Sequence, residues 1–332
     1  MTRLAPAHPE RGAALITVLM IVAAMSVVAV GLTQTVSSAT QRARALDSQA
    51  QLRFYEVAAE QAARVRLGEM LRGIEGKLTA DMPGLNEVQS IPIDGGVIRV
   101  RAHDATNCFD LNSLVISNDR GDQEAVPERV EEYLTILEGA GIDTTDATAL
   151  ASSLVDWMDA NSTPGLGGAE NGFYASEIPA YRTSGRPLAN LTELRAIRGY
   201  TREVIETVRG SVCARPVRPD TASGTMNINT MTPDNAAALS LAFSGVLEIE
   251  DARHLIRSRP IGGWPDVEAF LNEPAVVTLS PDVRHTDRLS VVTTYVEVYA
   301  EVAYREQMMS LLYLFETVPG QPVRTLRRER VG

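Results

Sequence analysis

An acidic stretch, VDWMDANSTPGLGGAENGFY at residues 155–174, holds side chains suited to binding an ion. Counted from Asp159, oxygen-bearing side chains occupy positions 1, 3, 5 and 12 with Asp159, Asn161, Thr163 and Glu170. The calcium loop of an EF-hand uses these positions and has Gly at position 6. Pro164 stands at the sixth position here, so the stretch predicts an oxygen-ligand site that is not a true EF-hand.

Asp156 adds a further oxygen donor, because it precedes Asp159 by one helical turn and can face the same way. Oxygens gathered on a short loop at a helix end suit a hard cation such as Ca²⁺, whose charge would offset their mutual repulsion. The alternative is a solvated acidic loop, in which Asp and Asn side chains stabilise turns. Spacing alone leaves both interpretations open.

Helices must position this loop, because apolar residues recur at helical spacing through the middle of the chain. PERVEEYLTILEGAGI and TTDATALASSLVDWMDA each predict a helix, and the acidic loop follows the second. Further on, PLANLTELRAIRGYTREVI looks like part of a helix-hairpin-helix unit, and NINTMTPDNAAALSLAF with IEDARHLIRSRPIGGWPDVEAFL looks like another. We predict a helical domain over residues 126–283.

Helix-hairpin-helix units in DNA-binding proteins present the backbone amides of a Gly-rich hairpin to phosphate. Here Glu248, Glu250 and Asp251 lie close to the hairpin FSGVLEIEDA and would repel phosphate. The net charge of −11 also opposes a general nucleic-acid binder, which needs a basic face. The sequence therefore favours a packing module, with DNA binding as the alternative.

Strands flank the helical region. GGVIRVRAHD alternates in the manner of a strand, and so does the stretch from Tyr295 through MMSLLYLFET. We predict an α+β fold in which residues 73–125 and 284–320 form an antiparallel sheet with the helical domain inserted between them. The alternation from Val296 to Val302 also marks a candidate surface for partner contacts. The basic residues 321–332 are predicted to fray.

The N-terminal region reads as one long helix. Residues 13–32, AALITVLMIVAAMSVVAVGL, carry no charge, and about 20 apolar residues suffice to span a bilayer. Helix-forming residues continue to Arg72, so the pattern predicts a helix over 13–72, on the order of 90 Å long. Arg3 and Arg11 weakly favour a cytoplasmic N-terminus. From these residues alone, the apolar stretch could be an ordinary single-pass membrane anchor or a signal peptide.

The two cysteines, Cys108 and Cys213, would then lie outside the cytoplasm, where disulfides persist. We predict that they pair, with buried free thiols as the alternative. No His-Glu-x-x-His, Gly-x-Ser-x-Gly or Walker pattern occurs, so an enzyme is not expected.

The short charged leader ending in Arg11 and Gly12, followed at once by an apolar helix, resembles the class III leader of type IV pilins and type II secretion pseudopilins. In that superfamily a membrane peptidase cleaves after the Gly and the new N-terminus is methylated. The resemblance implies a leader over residues 1–12 and cleavage between Gly12 and Ala13. Most members have Glu at the fifth mature residue, whereas this chain has Thr17.

With that leader, the segments CFDLNSLV, LVDWMDAN, GGAENGFY, PLANLTELRAIRGYT, NINT and SRPIGGWPDVEAFL together resemble the minor pseudopilin K family of type II secretion. The resemblance implies a pilin-like body with an inserted helix-hairpin-helix or SAM-like domain. It also implies a cap at the periplasmic tip of the pseudopilus that helps to initiate assembly. In the superfamily, the Glu at the fifth mature residue pairs with the N-terminal amine of a neighbouring subunit inside the membrane. Thr17 fits the place at the tip, because a subunit with nothing above it has no such amine to neutralise.

The same resemblance implies a single-pass protein of the bacterial inner membrane, with prepilin peptidase and minor pseudopilins I, J and H as partners. It further implies calcium at Asp156, Asp159, Asn161 and Glu170, although the family usually has Asp where Asn161 stands. A periplasmic DNA-binding or uptake protein and a membrane-anchored enzyme remain the rival classes.

Overall fold

A computed structural model of the chain describes residues 10–216 and 225–331. Its first element is a single helix, α1 (Glu10–Gly73), which agrees with the predicted long helix. The residues from Ala14 to Asp47 are exposed along its N-terminal half. In the C-terminal half, Leu52, Leu67 and Leu71 are buried against the sheet. The helix thus has a free half and a packed half.

The pilin-like body is a five-stranded antiparallel sheet in the order β1-β2-β9-β10-β11, which confirms the predicted fold class. Its strands are β1 (Gln89–Ile93), β2 (Gly96–Asp104), β9 (Tyr295–Tyr304), β10 (Gln307–Glu316) and β11 (Arg324–Val331). Strands β2 and β9 pair across the insertion, with Asp104 opposite Val296. Residues almost two hundred positions apart therefore form neighbouring strands.

The predicted partner surface on β9 is wrong. Val296, Val298, Ala300 and Val302 are buried beneath α1, because β9 is the central strand and its apolar face forms the core. The opposite face carries polar pairs such as Arg99 with Glu301, whose nearest atoms are 2.6 Å apart. Alternation identified the strand but not its place in the sheet.

The prediction of a frayed basic tail is also wrong, because residues 324–331 form strand β11, which pairs with β10. Arg328 and Arg330 of this strand form ion pairs with Glu60 and Glu56 of α1. Both glutamates are more than 90% buried and require compensating charge. The basic residues hold the end of the chain on the long helix.

The insertion contains two helical units with separate cores. The first comprises β3 (Phe109–Asp110), β4 (Val115–Ser117), β5 (Gln123–Ala125), α2 (Pro127–Gly139), α3 (Thr144–Met158), α4 (Asn171–Tyr174), α5 (Arg202–Val208) and β6 (Val212–Cys213). Residues 109–125 were predicted for the sheet body but belong to this unit. Leu111 and Leu114 lie in a 3₁₀ turn capped by Asp110, and both are fully buried in the helical core.

The second unit comprises β7 (Met226–Asn227), α6 (Ala236–Leu241), α7 (Ile249–Arg257), α8 (Val267–Leu271), α9 (Pro274–Val277) and β8 (Leu289–Ser290). Phe243, Trp264 and Phe270 are central to its core. The core extends to Val291, beyond the predicted boundary at residue 283, because β8 pairs with β7.

The insertion leaves and rejoins the sheet at one end, next to the C-terminal end of α1. The backbone N–H of Thr293 donates to the carbonyl of Gly76 at 2.9 Å, and that of Ala80 donates to Asn229 at 3.0 Å. Gly73, where α1 ends, is about 60 Å along the helix from Leu32. The helical units therefore join the body at the end remote from the apolar stretch.

Candidate functional site

The acidic loop connects α3 to α4 and brings three carboxylates together at its base. Asp156 lies in the last turn of α3, Asp159 is the residue that ends this helix, and Glu170 caps the start of α4. Their relative exposures are 3%, 5% and 7%, so each is almost completely removed from water. Carboxylates on a hydrated loop would be exposed, and the solvated-loop interpretation therefore does not fit these three.

Asp156 is held by the backbone of the loop. The N–H of Gly165 lies 3.0 Å and 3.2 Å from its two carboxylate oxygens. A Cβ atom at Gly168 would lie 2.1 Å from Oδ2 of Asp156, so a larger residue cannot occupy that position without moving the loop. The role of these glycines was not predicted from the sequence, although the Gly-Gly pair at 167–168 was a usable signal.

Asp159 and Glu170 each retain an unsatisfied oxygen. Oδ1 of Asp159 and Oε1 of Glu170 are buried and accept no hydrogen bond within the described ranges. Burial, with repulsion from Glu170 and then Asp156, raises the pKa of Asp159 to about 6. Burial also raises the pKa of Glu170 and of Asp156. Such burial is costly without compensating charge, so the loop suits a cation.

Asn161 lies beside these carboxylates but is exposed. Its Nδ2 donates to Oδ2 of Asp159 at 2.6 Å, while its Oδ1 accepts from the backbone N–H of Thr163 at 2.7 Å. The amide oxygen therefore serves the loop backbone. Across residues 10–216 and 225–331, no three acidic, His or Cys side chains form a preassembled metal cluster. The loop has ligand chemistry without an assembled shell, and calcium stays a prediction.

Aromatic residues that were not predicted as part of the site pack beside the loop. The rings of Trp157 and Tyr174 are 5.2 Å apart, and those of Tyr174 and Tyr181 are 5.1 Å apart. Arg198, in the first predicted hairpin, donates from Nη1 to the carbonyl of Gly168 at 3.0 Å. The hairpin therefore contacts the loop directly, and aromatic rings pack beside the residues that flank it.

Cys108 and Cys213 form a disulfide, as predicted, with their Cα atoms 5.6 Å apart. Cys108 immediately precedes β3 and Cys213 ends β6, and these strands pair in parallel. The bond joins the beginning of the first helical unit to its end. A crosslink that closes a loop of 105 residues contributes roughly 4–5 kcal/mol in the chain-entropy model.

The N-terminal half of α1 is long and apolar enough to cross a membrane by length and composition. Gly12 and Ala13, the predicted cleavage pair, lie within the helical backbone, and residues 1–9 of the predicted leader lie outside the described residues. The hydroxyl of Thr17 donates to the carbonyl of Ala14 at 2.9 Å. The stretch is consistent with a single-pass anchor.

An apolar groove of about 830 Å³ runs between α1 and the β1–β2 edge of the sheet. Phe54 and Val65 on the helix and Ile91 on the sheet line it, and all three are more than 40% exposed. Ala58 and Ala62, which lie between these two helix residues in the sequence, also line the groove. This groove is an exposed apolar surface of the body, and Val298 of β9 contributes to it only as a buried lining residue.

Comparisons with known proteins agree over most of the chain. Family models described as "Type II secretion system (T2SS), protein K" match residues 107–217 and 226–291, the ranges of the two helical units. Type II secretion system protein K of Klebsiella pneumoniae is 32% identical over 271 residues, 81% of each chain. The protein of that name from Pectobacterium carotovorum is 30% identical over 336 residues, 97% of each chain.

The fold also matches a chain in the crystal structure of the GspK-GspI-GspJ complex from the type 2 secretion system of enterotoxigenic Escherichia coli. The TM-score is 0.74 at 23% identity, and the match covers 88% of this chain and 99% of the other. Family models that match both helical units, and relatives similar over nearly the whole length, lead to one conclusion: the chain belongs to the type II secretion system protein K family.

Proposed function

We propose that this protein is a minor pseudopilin that caps the periplasmic tip of the type II secretion pseudopilus and helps to initiate its assembly. The observation that carries the proposal is the place of the insertion. Both helical units join the body beside the C-terminal end of α1, remote from the apolar stretch. In a fibre whose subunits stack through their long helices, bulk at this end obstructs a further subunit from docking above.

The partners in this proposal are the pseudopilins I and J, with H as a further one. The structural relative was crystallised as a complex with GspI and GspJ, which supports such an assembly. The groove along Phe54 to Val65 supplies exposed apolar surface on the same helix that enters the membrane. The apolar helix face of a pilin-like subunit would suit this surface chemically.

The groove can be tested without disturbing the core. Ala62 is exposed and lines the groove, so Ala62→Arg should fold normally yet lose most binding to purified I and J subunits. Ala180→Arg places the same charge on an exposed position of the first helical unit and is the matched control. Equal binding by both variants would show that the partners dock elsewhere.

Insertion in the inner membrane and processing by prepilin peptidase complete this function. The junction of Gly12 and Ala13 directly precedes the apolar stretch, which supports cleavage there. N-terminal sequencing of protein extracted from membranes is expected to begin at Ala13. A start near Thr33 would indicate an ordinary signal peptidase instead.

We further propose that the acidic loop binds Ca²⁺ through Asp156, Asp159 and Glu170. The unsatisfied oxygens of Asp159 and Glu170 support this ligand set, and Ca²⁺ would supply the charge that the loop lacks. Asn161 could join only if its oxygen released the N–H of Thr163. Backbone carbonyls or water would complete the coordination.

DNA binding remains the alternative function, and the second hairpin argues against it. The N–H of Gly245 donates to Ser240 at 3.0 Å, and that of Val246 donates to Phe243 at 2.9 Å. These hairpin amides already donate to backbone carbonyls and are not free to bind a phosphate. A fluorescence titration with duplex DNA at low salt is expected to show no saturable binding.

The cap itself is tested by locating the protein on fibres. Immunogold labelling of the full-length protein should mark fibre ends only, in about one copy per fibre. A variant in which a short Gly-Ser linker replaces residues 107–291 keeps the sheet and should enter the shaft. Label distributed evenly along fibres that carry the full-length protein would refute the cap.

A further inference from the structure

The two sulfurs of the Cys108–Cys213 disulfide lie in unlike electrostatic surroundings. Nη2 of Arg215 is 3.2 Å from Sγ of Cys108. Sγ of Cys213 faces the carbonyl oxygen of Phe109 at 3.7 Å, a group that would repel a sulfur anion. Sγ of Cys108 also lies 3.5 Å from the carbonyl of Ala105, but that oxygen accepts from Nη2 of Arg215 at 3.1 Å.

Arg215 is fixed in this position. Only 7% of the residue is exposed, and Nη2 also donates to the carbonyl of Thr106 at 2.6 Å. The guanidinium lies 4.4 Å from the ring centroid of Tyr295. Burial lowers the pKa of Arg215, yet an arginine keeps its proton at neutral pH. Its charge therefore remains beside Cys108 when the disulfide opens.

The charged side chains that line the cavity at Cys108 carry a positive excess, and Asp104, a further carboxylate that attracts Arg215, accepts hydrogen bonds from Asn227, Thr230 and Thr293. Cys108 borders a cavity of about 40 Å³ whose charged lining is Asp110, Arg129, Glu132, Arg215 and Arg288. Glu132 is paired with Arg129 and, at 2.8 Å, with Arg288, while Asp110 accepts from the backbone N–H of Arg215 at 3.1 Å. Both carboxylates have partners, so neither opposes a thiolate at Cys108 strongly.

We propose that Arg215 makes Cys108 the leaving thiolate when a thiol opens this disulfide, so that the incoming thiol bonds to Cys213. A thiolate attacks Sγ of Cys213, a new S–S bond forms, and the Cys108–Cys213 bond breaks. The electron pair of the broken bond leaves on Sγ of Cys108, beside the guanidinium. Thiols stabilised as anions leave faster in such exchange.

A dithiol reagent completes the reaction with balanced chemistry. The second thiolate of the reagent attacks the reagent sulfur that is bonded to Cys213, and Cys213 departs as a thiolate. The reagent becomes a disulfide, and the protein gains two electrons. By microscopic reversibility, reoxidation closes when Cys108 attacks a mixed disulfide at Cys213. The bond joins the start and end of the first helical unit. Because Cys108 is the leaving thiolate, Cys213 is the site where a thiol-disulfide oxidoreductase would engage the folded protein.

The full-length protein in detergent can be treated briefly with glutathione, quenched in acid and mapped by peptide mass spectrometry. Glutathione is expected on Cys213 over Cys108 by about tenfold. Arg215→Met should reduce this preference to near unity, whereas Arg129→Met, which changes a cation of the same cavity, should retain it. Equal labelling of the two cysteines in the wild type, or an unchanged preference in Arg215→Met, would overturn the proposal.

A second measurement needs no variant. In the reduced wild-type protein, iodoacetamide should alkylate Cys213 with a rate that rises about tenfold per pH unit between pH 6 and 7, while the rate at Cys108 rises much less. The measured quantity is the relative change of the alkylation rate with pH at each cysteine, so a difference in reagent access between the two thiols does not affect it. Identical pH profiles for the two thiols would contradict a stabilised thiolate at Cys108.

Discussion

Replacing Asp159 by Asn should stabilise the calcium-free protein and remove its response to calcium. Asp159 is 5% exposed and retains an unsatisfied oxygen, and burial with repulsion from Glu170 and Asp156 raises its pKa from 3.8 to about 6. A shift of that size corresponds to about 3 kcal/mol if fully expressed. An Asn side chain in the same place still bears the cost of burying a polar group, which offsets part of the gain and leaves about 1–2 kcal/mol.

The direction in which stability changes with pH follows from the raised pKa of Asp159. A carboxyl whose pKa is higher in the folded state than in the unfolded state costs stability as pH rises between the two values. Calcium-free wild type should therefore lose stability between about pH 4 and pH 6 and remain penalised at pH 7. Asp159→Asn removes that ionisation, so its melting temperature in chelator at pH 7 should be about 2–6 °C higher.

Calcium should reverse the order of the two proteins. At a concentration 100-fold above its dissociation constant, a ligand specific for the native state adds about 2.7 kcal/mol to wild type. Asp159→Asn should gain little and become the less stable protein. Differential scanning fluorimetry in chelator and in calcium measures this crossover, with the exposed Asp119→Asn as control. A lower melting temperature for Asp159→Asn in chelator, or an equal calcium response in both proteins, would refute the reasoning.

Three further substitutions test other parts of the structure. Gly168→Ala should abolish calcium-dependent stabilisation because a Cβ atom there meets a carboxylate oxygen at 2.1 Å, whereas Gly172→Ala enters open space and should retain it in the same fluorimetric assay. Arg328→Met should lower the free energy of unfolding in urea by about 1–2 kcal/mol, because Glu60 is left buried without its cation. Asn227→Leu should lower the free energy of unfolding by about 1–3 kcal/mol, because buried acceptors lose their donor, and should expose the junction of body and insertion to limited proteolysis. Protease resistance equal to that of the wild type would count against the role of the junction.

The sequence predicted features whose determinants are local. The long helix, strand β2 and helices α2 and α3 follow from periodicity within one segment. The approach of Asp156 to Asp159 follows from helical spacing, and Glu170 was found by counting along the loop. The orientation of Asn161 was not predictable, because it depends on a backbone N–H that the folded loop presents.

The remaining errors concern pairings between distant segments. Alternation in β9 is the same for an edge strand and a central strand, and only the pairing with β2 and β10 decides between them. Residues 324–331 read as a frayed tail because Glu56 and Glu60, which pair with Arg330 and Arg328, lie more than 260 positions earlier. Long-range charge pairing leaves no local periodic signal.

One predicted segment, NINT, acquires a physical role that its letters did not reveal. Asn227 is fully buried, and its Nδ2 lies 3.1 Å from the carbonyl of Leu78, 3.0 Å from the carboxylate of Asp104 and 2.9 Å from the hydroxyl of Thr293. These groups come from the segment after α1, the end of β2 and the approach to β9. Asn229 continues the junction by donating to the carbonyl of Trp264 at 2.8 Å.

A buried polar network with its groups satisfied specifies one arrangement, because any displacement leaves donors or acceptors unpaired at low dielectric. This network joins the segment after the long helix, the sheet and the second helical unit at a single point. A cap needs such a junction, since bulk at the end of a helix obstructs a neighbour only if it cannot swing aside. The polar NINT segment therefore serves the proposed function through geometry.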